Sequence, residues 1–332
     1  MNPILVELRR ADVLESFHRG VICVVDENNQ IVFSKGDVKQ VCYPRSAMKF
    51  FQHIPLITSG IFDSYGFTNE QLAVMCGSHN GEAAHTEVVN TILETIKLNE
   101  SNLKCGAQPP SLKKDYHQLI RDNKEPQPIH NNCSGKHAGF LAWSSFNNQD
   151  LDSYLSPQHP LQQEIRNVVA QFYELSPDQL LLGMDGCSAP TFAMPVFNQA
   201  VAFKNLVSAP SHFDDKTKDA AKRIVSAVTQ FPEMVAGTQR YCTDLMRITQ
   251  GRIVGKTGAD GVYCISIPEK KWGIAIKIDD GKMGPQYQVA QELLEKLGLI
   301  TQEEVAELDK YREFEMKNFA GNITGKSIVV NI

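Results

Sequence analysis

The sequence predicts an α+β fold in which strands from both ends of the chain form one antiparallel sheet and helices fill the middle. Strand-like segments lie near the N-terminus and again towards the C-terminus, at residues 4–6, 21–25, 31–33, 262–267 and 272–278. The region between them carries apolar residues at the spacing of amphipathic helices. Strands that flank a helical centre can share one sheet, because pairing need not follow chain order.

We expect a single unit over residues 1–332, with the sheet built from about 1–45 and 250–332 and a helical region of about 46–249. Of the 332 residues, 42% are hydrophobic and 21% charged, which is enough apolar content for a substantial core. No long low-complexity linker divides the chain. Residues 105–130, rich in Pro, Gln, Lys and Asp, are predicted to be an exposed connection.

Local signals support the individual elements in order. The polar turn 27–30 joins two strand segments in a predicted hairpin, and residues 268–271 do the same near the C-terminus. Thr68 and Gln71 have the spacing of a capping box, which starts a helix. Further helices are expected at residues 50–57, 82–98, 161–173, 196–206, 217–228 and 286–297.

Composition narrows the class of partner. The formal net charge of -5 is spread without long single-sign runs, so we predict neither nucleic-acid binding nor a basic membrane-binding face. No apolar run approaches the length needed to span a membrane, and the N-terminus lacks the pattern of an export signal. We therefore expect a cytoplasmic protein whose partner is a small molecule.

The eight cysteines are scattered singly, which predicts reduced, mostly buried thiols in a chain without an export signal. Cys133 and Cys187 each lie in a predicted Gly-punctuated loop, at residues 133–137 and 184–188. A metal ion is able to bridge two such loops. Spacing alone favours inert buried thiols, however, because two cysteines without a second local ligand do not define a zinc site.

Two short motifs suggest acyl transfer. Ser46 and Lys49 are three residues apart, so on a helix their side chains share a face and the amine can take the hydroxyl proton. Lys256 begins a Lys-Thr-Gly segment much later in the chain. Ser-x-x-Lys followed by Lys-Thr-Gly is the motif pair of serine β-lactamases and penicillin-binding proteins, and the predicted layout of strands and helices matches their fold.

Other polar segments leave alternatives open. Ser78 precedes a predicted helix, so it is either an N-cap or a second active-site serine. His79 and His85 lack metalloprotease spacing and are expected at the surface. The segments 251–257 and 321–327 resemble a phosphate-binding loop but have three residues where that loop needs four. Nucleotide binding therefore remains a weaker alternative from a different class.

Taken together, these segments resemble the rhizobial-type, zinc-binding L-asparaginase family, which is related in fold to serine β-lactamases and glutaminases. The resemblance covers nearly the whole chain. It rests on seven motifs in matching order, at residues 43–49, 76–82, 130–139, 183–190, 233–238, 256–264 and 277–281.

The resemblance implies a site for each of three tasks. It implies two serine-lysine pairs in one pocket, Ser46 with Lys49 and Ser78 with Lys256. It implies substrate-binding positions at Arg45, His137 and Asp185. It also implies a zinc ion held by Cys133, Lys136 and Cys187, which replaces the interpretation of those thiols as inert. The family further suggests a homodimer.

The implied activity is hydrolysis of L-asparagine to L-aspartate and ammonia through an acyl-enzyme on Ser46, with Lys49 as the base. Either serine-lysine pair is able to supply the nucleophile. The alternatives are a glutaminase or another serine amidohydrolase, since the same motifs suit any amide carbonyl. A non-catalytic sensor of amino acids or zinc is the alternative from another class.

Overall fold

The computed structural model describes all 332 residues. The strands are β1 (Ile4–Arg10), β2 (Val13–Val25), β3 (Ile31–Lys35), β4 (Val41–Cys42), β5 (Leu181–Met184), β6 (Pro190–Pro195), β7 (Val254–Gly258), β8 (Val262–Ile267), β9 (Trp272–Ile278), β10 (Phe314–Lys317) and β11 (Ile323–Val329). The helices are α1 (Lys49–Gln52), α2 (Ile54–Thr58), α3 (Ile61–Tyr65), α4 (Asn69–Met75), α5 (Ala83–Thr95), α6 (Lys113–Arg121), α7 (Ser134–Phe146), α8 (Pro160–Phe172), α9 (Val196–Val207), α10 (Asp215–Gln230), α11 (Pro232–Val235), α12 (Tyr241–Ile248), α13 (Pro285–Lys296) and α14 (Gln302–Glu307). No helix is long and apolar enough to cross a membrane.

The chain divides into two compact units, which we call unit 1 and unit 2. Unit 1 comprises residues 1–47, 194–208 and 244–332, and unit 2 comprises residues 48–193 and 209–243. The predicted limits of the sheet region, near 45 and 250, lie close to the limits of unit 1 at 47 and 244. The segment 194–208 differs, because it was assigned by sequence to the helical region and belongs to unit 1.

Unit 1 is built on an antiparallel sheet with the order β10-β11-β1-β2-β9-β8-β7, in which β3 also pairs with β2. The N-terminal strands thus pair with C-terminal ones, as in the register of Gly20 with Ile278. Both predicted hairpins are present, with Cys23 opposite Ser34 and Cys264 opposite Ala275. The predicted α+β fold, with one sheet from both ends of the chain and helices between them, is confirmed.

Two helices cover opposite faces of this sheet. Cys264 lies against Gln199 of α9, whereas its neighbour Tyr263 stacks edge-on against Tyr287 of α13, and successive strand residues face opposite sides. A side chain at Gly273 would overlap the carbonyl oxygen of Ala200, so a glycine is required for α9 to approach so closely. This close packing explains why the segment containing α9 belongs to the sheet unit.

Unit 2 is mainly helical and contains α1–α8, α10 and α11, together with β5. Its core includes Phe51, whose ring lies 5.1 Å from Phe172 and 5.2 Å from Tyr173. The capping box of Thr68 and Gln71 at the start of α4 is confirmed. The predicted helical run over 50–57 is interrupted at His53, since Pro55 has no N–H to continue the ladder.

Two segments of unit 2 differ from the sequence prediction. The predicted exposed connection contains α6, a nine-residue helix with no buried residue. Its apolar residues Tyr116, Leu119 and Ile120 have helical spacing, which the sequence prediction overlooked in a stretch rich in polar residues. Residues 134–137 form the first turn of α7 rather than a loop. There Gly135 is not a turn residue, because a Cβ on it would lie 2.7 Å from the backbone carbon of Val74. The glycine lets α7 pack directly against α4.

Candidate active-site groups

The Ser46 segment of unit 1 is a 3₁₀ turn over Arg45–Met48, in which Ser46 is half-buried. Arg45 opens the turn with a left-handed backbone, φ 53°, and its guanidinium is ion-paired with Asp260. Asp260 lies between β7 and β8 and is also left-handed, φ 56°. Two residues that carry side chains are therefore held in a conformation that favours glycine.

The free energy contributed by this ion pair does not exceed the cost of the left-handed backbone at its two residues. A left-handed residue other than glycine costs roughly 1–2 kcal/mol, less where Asp occupies it. An exposed ion pair contributes only about 0–1 kcal/mol, and the Asp260 side chain is 62% exposed. The Arg45–Asp260 pair thus stabilises the fold by no more than these backbone conformations cost. At Asp260 the positive φ is ordinary hairpin geometry, because Asp260 and Gly261 lie in the turn between β7 and β8, for which Asp-Gly is a preferred sequence.

Lys256 lies in the middle of β7 and is fully buried, with its Nζ donating to the carbonyl of Thr257 at 3.2 Å. Thr257 faces the other side of the sheet, where its hydroxyl lies 2.9 Å from that of Tyr287. A Cβ on Gly258 would overlap the carbonyl oxygen of Pro44. Within unit 1, the end of the Lys-Thr-Gly segment therefore packs against the backbone that leads into Ser46.

Lys49 begins α1 in unit 2 and is 1% exposed. Its Nζ donates to the carbonyl of Gly77 at 2.5 Å, to Ser78 Oγ at 3.0 Å and to the carbonyl of Asn132 at 3.2 Å. All three acceptors are uncharged. Within unit 2, the amine of Lys49 thus contacts the Ser78 hydroxyl, and the pairing of Ser78 with Lys256 that the resemblance implies stays a prediction.

Ser78 is 4% exposed and lies in the segment between α4 and α5. It is not an N-cap: Glu82 precedes the first turn of α5, and its N–H donates to His85 Nδ1 at 3.1 Å. The backbone N–H of Ser78 instead donates to Val235 O at 2.7 Å. The capping interpretation of Ser78 is therefore wrong, and its role as a second active-site serine stays a prediction.

The prediction that His79 and His85 lie at the surface is wrong. Both are buried, and their rings stack with centroids 4.8 Å apart. His79 Nε2 lies 3.0 Å from Ser134 Oγ, and His85 Nε2 lies 2.9 Å from the carbonyl of Glu233. These long-range partners satisfy ring nitrogens that would otherwise be costly to bury.

A carboxylate anchors the Ser78 segment to residues 233–240. Glu82 accepts hydrogen bonds from the N–H of Thr238 at 2.8 Å, from its hydroxyl at 2.7 Å and from Asn80 Nδ2 at 3.0 Å. Burial raises the pKa of Glu82, but these hydrogen bonds outweigh it and hold the pKa below its usual value. The ionised carboxylate is therefore part of the scaffold that positions Ser78.

A second group in unit 2 contains two thiols and an amine. Lys136 Nζ lies 2.9 Å from Cys187 Sγ, and Cys133, which immediately precedes α7, contacts the same sulfur. The hydrogen bond from Cys133 and the Lys136 ammonium lower the pKa of Cys187 well below its usual value, against the effect of burial. The hydrogen bond to Cys187 and burial raise the pKa of Cys133.

The same charges govern Lys136 and His137. Burial acts to lower the pKa of Lys136, but the negative charge of Cys187 and Cys133 outweighs burial and raises it. Burial lowers the pKa of His137, which favours the neutral ring. His137 Nδ1 lies 2.6 Å from the Tyr154 hydroxyl. The structure thus places four predicted site residues of unit 2 in one cluster, namely Cys133, Lys136, His137 and Cys187. A fifth, Asp185, lies next to them, with its Oδ2 4.0 Å from Cys187 Sγ.

This cluster fits a soft metal ion. Two sulfurs and an amine converge, and the neighbouring His137 ring also interacts with the Cys187 sulfur, which is the kind of nitrogen and sulfur set that soft metals prefer. No group of three or more His, Cys, Asp or Glu side chains is arranged for a metal. The candidate site instead combines two thiols with the amine of Lys136, a residue type outside those four.

Three residues that contact the candidate site residues were not among those predicted from the sequence. Asn132 provides a carbonyl to Lys49, and His53 Nδ1 lies 3.0 Å from the carbonyl of Lys49. Asp260 pairs with Arg45. Each has a signal in the sequence: Asn132 is next to Cys133, His53 is four residues after Lys49, and Asp260 follows the Lys-Thr-Gly motif.

Known proteins similar to this chain include one protein family and several solved structures. Among solved structures the chain is similar to a β-lactamase from Mycobacterium bovis, with 12% identity, coverage of 83% of this chain and 94% of that chain, and a TM-score of 0.42. It is also similar to Mglu in its glutamate form, with 15% identity, coverage of 90% of this chain and 66% of that chain, and a TM-score of 0.40. A third similar structure is the D-alanine carboxypeptidase AmpC from Burkholderia cenocepacia, with 12% identity, coverage of 83% of this chain and 93% of that chain, and a TM-score of 0.41. No curated protein sequence matches it. The family model described as L-asparaginase II matches residues 6–329, and the chain therefore belongs to the L-asparaginase II family, as its seven motifs predict.

Proposed function

We propose that this amidohydrolase converts L-asparagine to L-aspartate and ammonia through an acyl-enzyme on serine. The observation that carries the proposal is the 3.0 Å contact between the buried amine of Lys49 and the hydroxyl of Ser78. A serine hydroxyl is a weak nucleophile and a poor proton carrier until a base lies within hydrogen-bond reach. A buried amine beside a buried hydroxyl is the arrangement that such chemistry needs.

The roles of the four residues follow from motif and contact. Ser46 Oγ attacks the side-chain amide carbon, and neutral Lys49 takes its proton. The carbon–nitrogen bond then breaks, ammonia leaves with a proton relayed through Ser78, and a β-aspartyl ester remains on Ser46. Water hydrolyses the ester and releases aspartate. Lys256 contributes positive charge that stabilises the oxyanion of each step.

Substrate-binding roles for Arg45, His137 and Asp185 complete the assignment. Arg45 presents a guanidinium, which binds carboxylates in a bidentate geometry. Neutral His137 and the half-buried Asp185 present one acceptor or donor each beside the thiol cluster. These groups suit the polar ends of an amino acid.

Zinc held by Cys133, Lys136 and Cys187 belongs to the same proposal. When bound, it would fix the first turn of α7 beside the 185–187 loop and add positive charge near His137 and Asp185. The convergence of Lys136 Nζ, 2.9 Å from Cys187 Sγ, with the thiol of Cys133 supports this, because sulfur and nitrogen ligands suit a soft metal ion. A working form that is cytoplasmic and dimeric is likewise proposed, and the eight free, buried thiols are in keeping with a reducing compartment.

The decisive test is ammonia release from L-asparagine and from L-glutamine by the wild-type protein, Ser46→Ala, Ser78→Ala and the control Ser64→Ala, an exposed serine of unit 2. We expect release from asparagine that Ser46→Ala abolishes and Ser64→Ala retains. One methylene is typically worth about 1–3 kcal/mol, so glutamine should react about 10- to 200-fold more slowly. Faster release from glutamine would favour the glutaminase alternative.

A second measurement identifies the nucleophile directly. Acid quenching during turnover, followed by peptide mapping, should locate an aspartyl ester on the peptide that contains Ser46. An ester on Ser78 would exchange the roles of the two serines. Asparagine that is bound and recovered unhydrolysed, with no ester on either peptide, would support the non-catalytic sensor.

A further inference from the structure

Asp260 forms an ion pair with Arg45 but has no role in the function proposed above. It pairs with Arg45 inside unit 1, both residues hold a left-handed backbone, and the pair stabilises the fold by no more than that backbone costs. The hairpin turn between β7 and β8 explains the backbone of Asp260 but not its charge, which lies against the guanidinium of Arg45, the residue before Ser46.

The position of Asp260 is firmly held while its carboxylate remains accessible. The ammonium of Lys277 donates to the carbonyl of Asp260 at 2.6 Å and to that of Ile278 at 2.5 Å. The next residue, Gly261, has a φ of 74°, and a Cβ on it would lie 2.8 Å from that of Ile278. The backbone at this turn is thus tied to β9, whereas the Asp260 side chain is 62% exposed.

The chemistry of the pair matches one class of ligand. A guanidinium binds a carboxylate through two parallel hydrogen bonds, and a carboxylate accepts hydrogen bonds from an ammonium. An α-amino acid carries one carboxylate and one ammonium on the same carbon. A cation and an anion fixed side by side therefore complement that group, and they do so beside the backbone that leads into Ser46.

We propose that Asp260 is a specificity-determining residue that binds the α-ammonium of the amino-acid substrate while Arg45 binds its α-carboxylate. The proposal rests on the function proposed above. In the structure Asp260 pairs with Arg45. Substrate replaces this one ion pair with two, so every charge stays paired. A substrate without the α-amino group occupies Arg45 but leaves the Asp260 carboxylate without a cation.

The test compares L-asparagine with succinamate, which is asparagine without its α-amino group, using wild-type protein and Asp260→Asn. Asparagine tolerates the left-handed backbone nearly as well as aspartate, so this change removes the charge and keeps the turn. The control is Glu27→Gln, which removes a carboxylate from another exposed ion pair of unit 1, with Lys271.

We expect Asp260→Asn to lower kcat/KM for L-asparagine by about 10- to 100-fold, mainly through KM, the loss expected for a hydrogen-bonded charge. For succinamate, kcat/KM should change less than about threefold, and the control should leave both substrates unaffected. An equal loss on both substrates, or no loss on either, would overturn the proposal. Asp260→Glu, which restores the charge at a different reach, should recover part of the selectivity for asparagine.

Binding separates this proposal from the proposed function. If wild-type protein releases no ammonia, the asparaginase assignment fails, and the role of Asp260 is then decided by calorimetry with L-aspartate and succinate. Asp260→Asn should weaken binding of L-aspartate about tenfold or more and spare succinate. Equal weakening of both ligands, or binding of neither by the wild-type protein, would overturn the role of Asp260.

Discussion

Gly135 lies at the start of α7, between Ser134 and Lys136, and its replacement by alanine tests how the thiol cluster is positioned. A Cβ at this site would overlap the carbonyl oxygen of Val74 and lie 2.7 Å from its carbon and 3.2 Å from the nitrogen of Met75. Carbon atoms in favourable contact are about 3.5–4.0 Å apart, so α7 and α4 would have to separate by about 1 Å.

The expected cost follows from this overlap. Overpacking against backbone atoms, which cannot rotate away, costs about 3 kcal/mol, at the upper end of the usual range. Alanine recovers at most about 1 kcal/mol relative to glycine, the value for a helix interior, because Gly135 lies in the first turn of α7. Gly135→Ala should therefore destabilise unit 2 by about 2 kcal/mol. Because Lys136 moves with the helix, activity should fall as well.

Gly139→Ala provides a matched comparison in the same helix. Its Cβ would lie 2.6 Å from Nε2 and 2.8 Å from Cδ2 of the His53 ring, which is a side chain and is able to shift. Because Gly139 lies in the helix interior, the helix gains at least as much from this alanine as from the one at Gly135. We therefore expect Gly139→Ala to cost less than Gly135→Ala, about 1 kcal/mol or less.

Urea unfolding followed by tryptophan fluorescence measures both variants. The two tryptophans report on different units, Trp143 on α7 of unit 2 and Trp272 on β9 of unit 1. A Trp272→Phe background leaves Trp143 as the only probe, so the transition reports on unit 2. A Gly135→Ala variant as stable as its parent, or less perturbed than Gly139→Ala, would refute the packing argument.

Three further predictions concern the metal and pH. Cys187→Ala should remove most of the bound zinc measured by elemental analysis, whereas Cys242→Ala, a buried thiol outside the cluster, should retain it; equal zinc contents would exclude this site. Chelation should raise KM for asparagine more than it lowers kcat, and a lower kcat at constant KM would contradict a positioning role. Burial lowers the pKa of His53 to about 4, so the unfolded chain binds a proton below pH 6.5 that the folded chain does not, and stability falls as the pH drops. The wild-type protein should lose about 2 kcal/mol more than His53→Gln between pH 7 and 5 in urea titrations, and parallel curves would show that His53 does not titrate in this way.

Local sequence signals predicted those parts of the fold that depend on local interactions. The hairpin turns at 27–30 and 268–271 and the capping box at Thr68 are each set by a few adjacent residues, and all are present. The start of α7 was not predicted, because Gly135 serves close packing against a helix about 60 residues earlier in the chain. A glycine selected for close approach has the same sequence signature as a glycine in a turn.

For the candidate site too, local sequence predicted some features, whereas others depend on long-range packing. Motif spacing identified the residue types, and the structure brings Cys133, Lys136 and Cys187 together as the resemblance implies. The contact of Lys49 with Ser78 spans 29 positions and depends on how α1 packs in unit 2, so no spacing rule gives it. Burial of His79 was also missed, since its partner Ser134 lies 55 positions away.

The two buried lysines, Lys49 and Lys136, show how long-range contacts decide whether a buried amine is stabilised. An ammonium taken out of water loses several kcal/mol of hydration, which a nearby anion or a set of acceptors must offset. Lys136 has such an anion in the Cys187 thiolate, whereas the acceptors of Lys49 in unit 2 are two carbonyls and a hydroxyl. Replacing Lys49 by methionine would remove the cost of burying an amine but leave the carbonyls of Gly77 and Asn132 without that donor. Because these two effects oppose each other, stability alone does not account for a lysine at this position, and a role in proton transfer does.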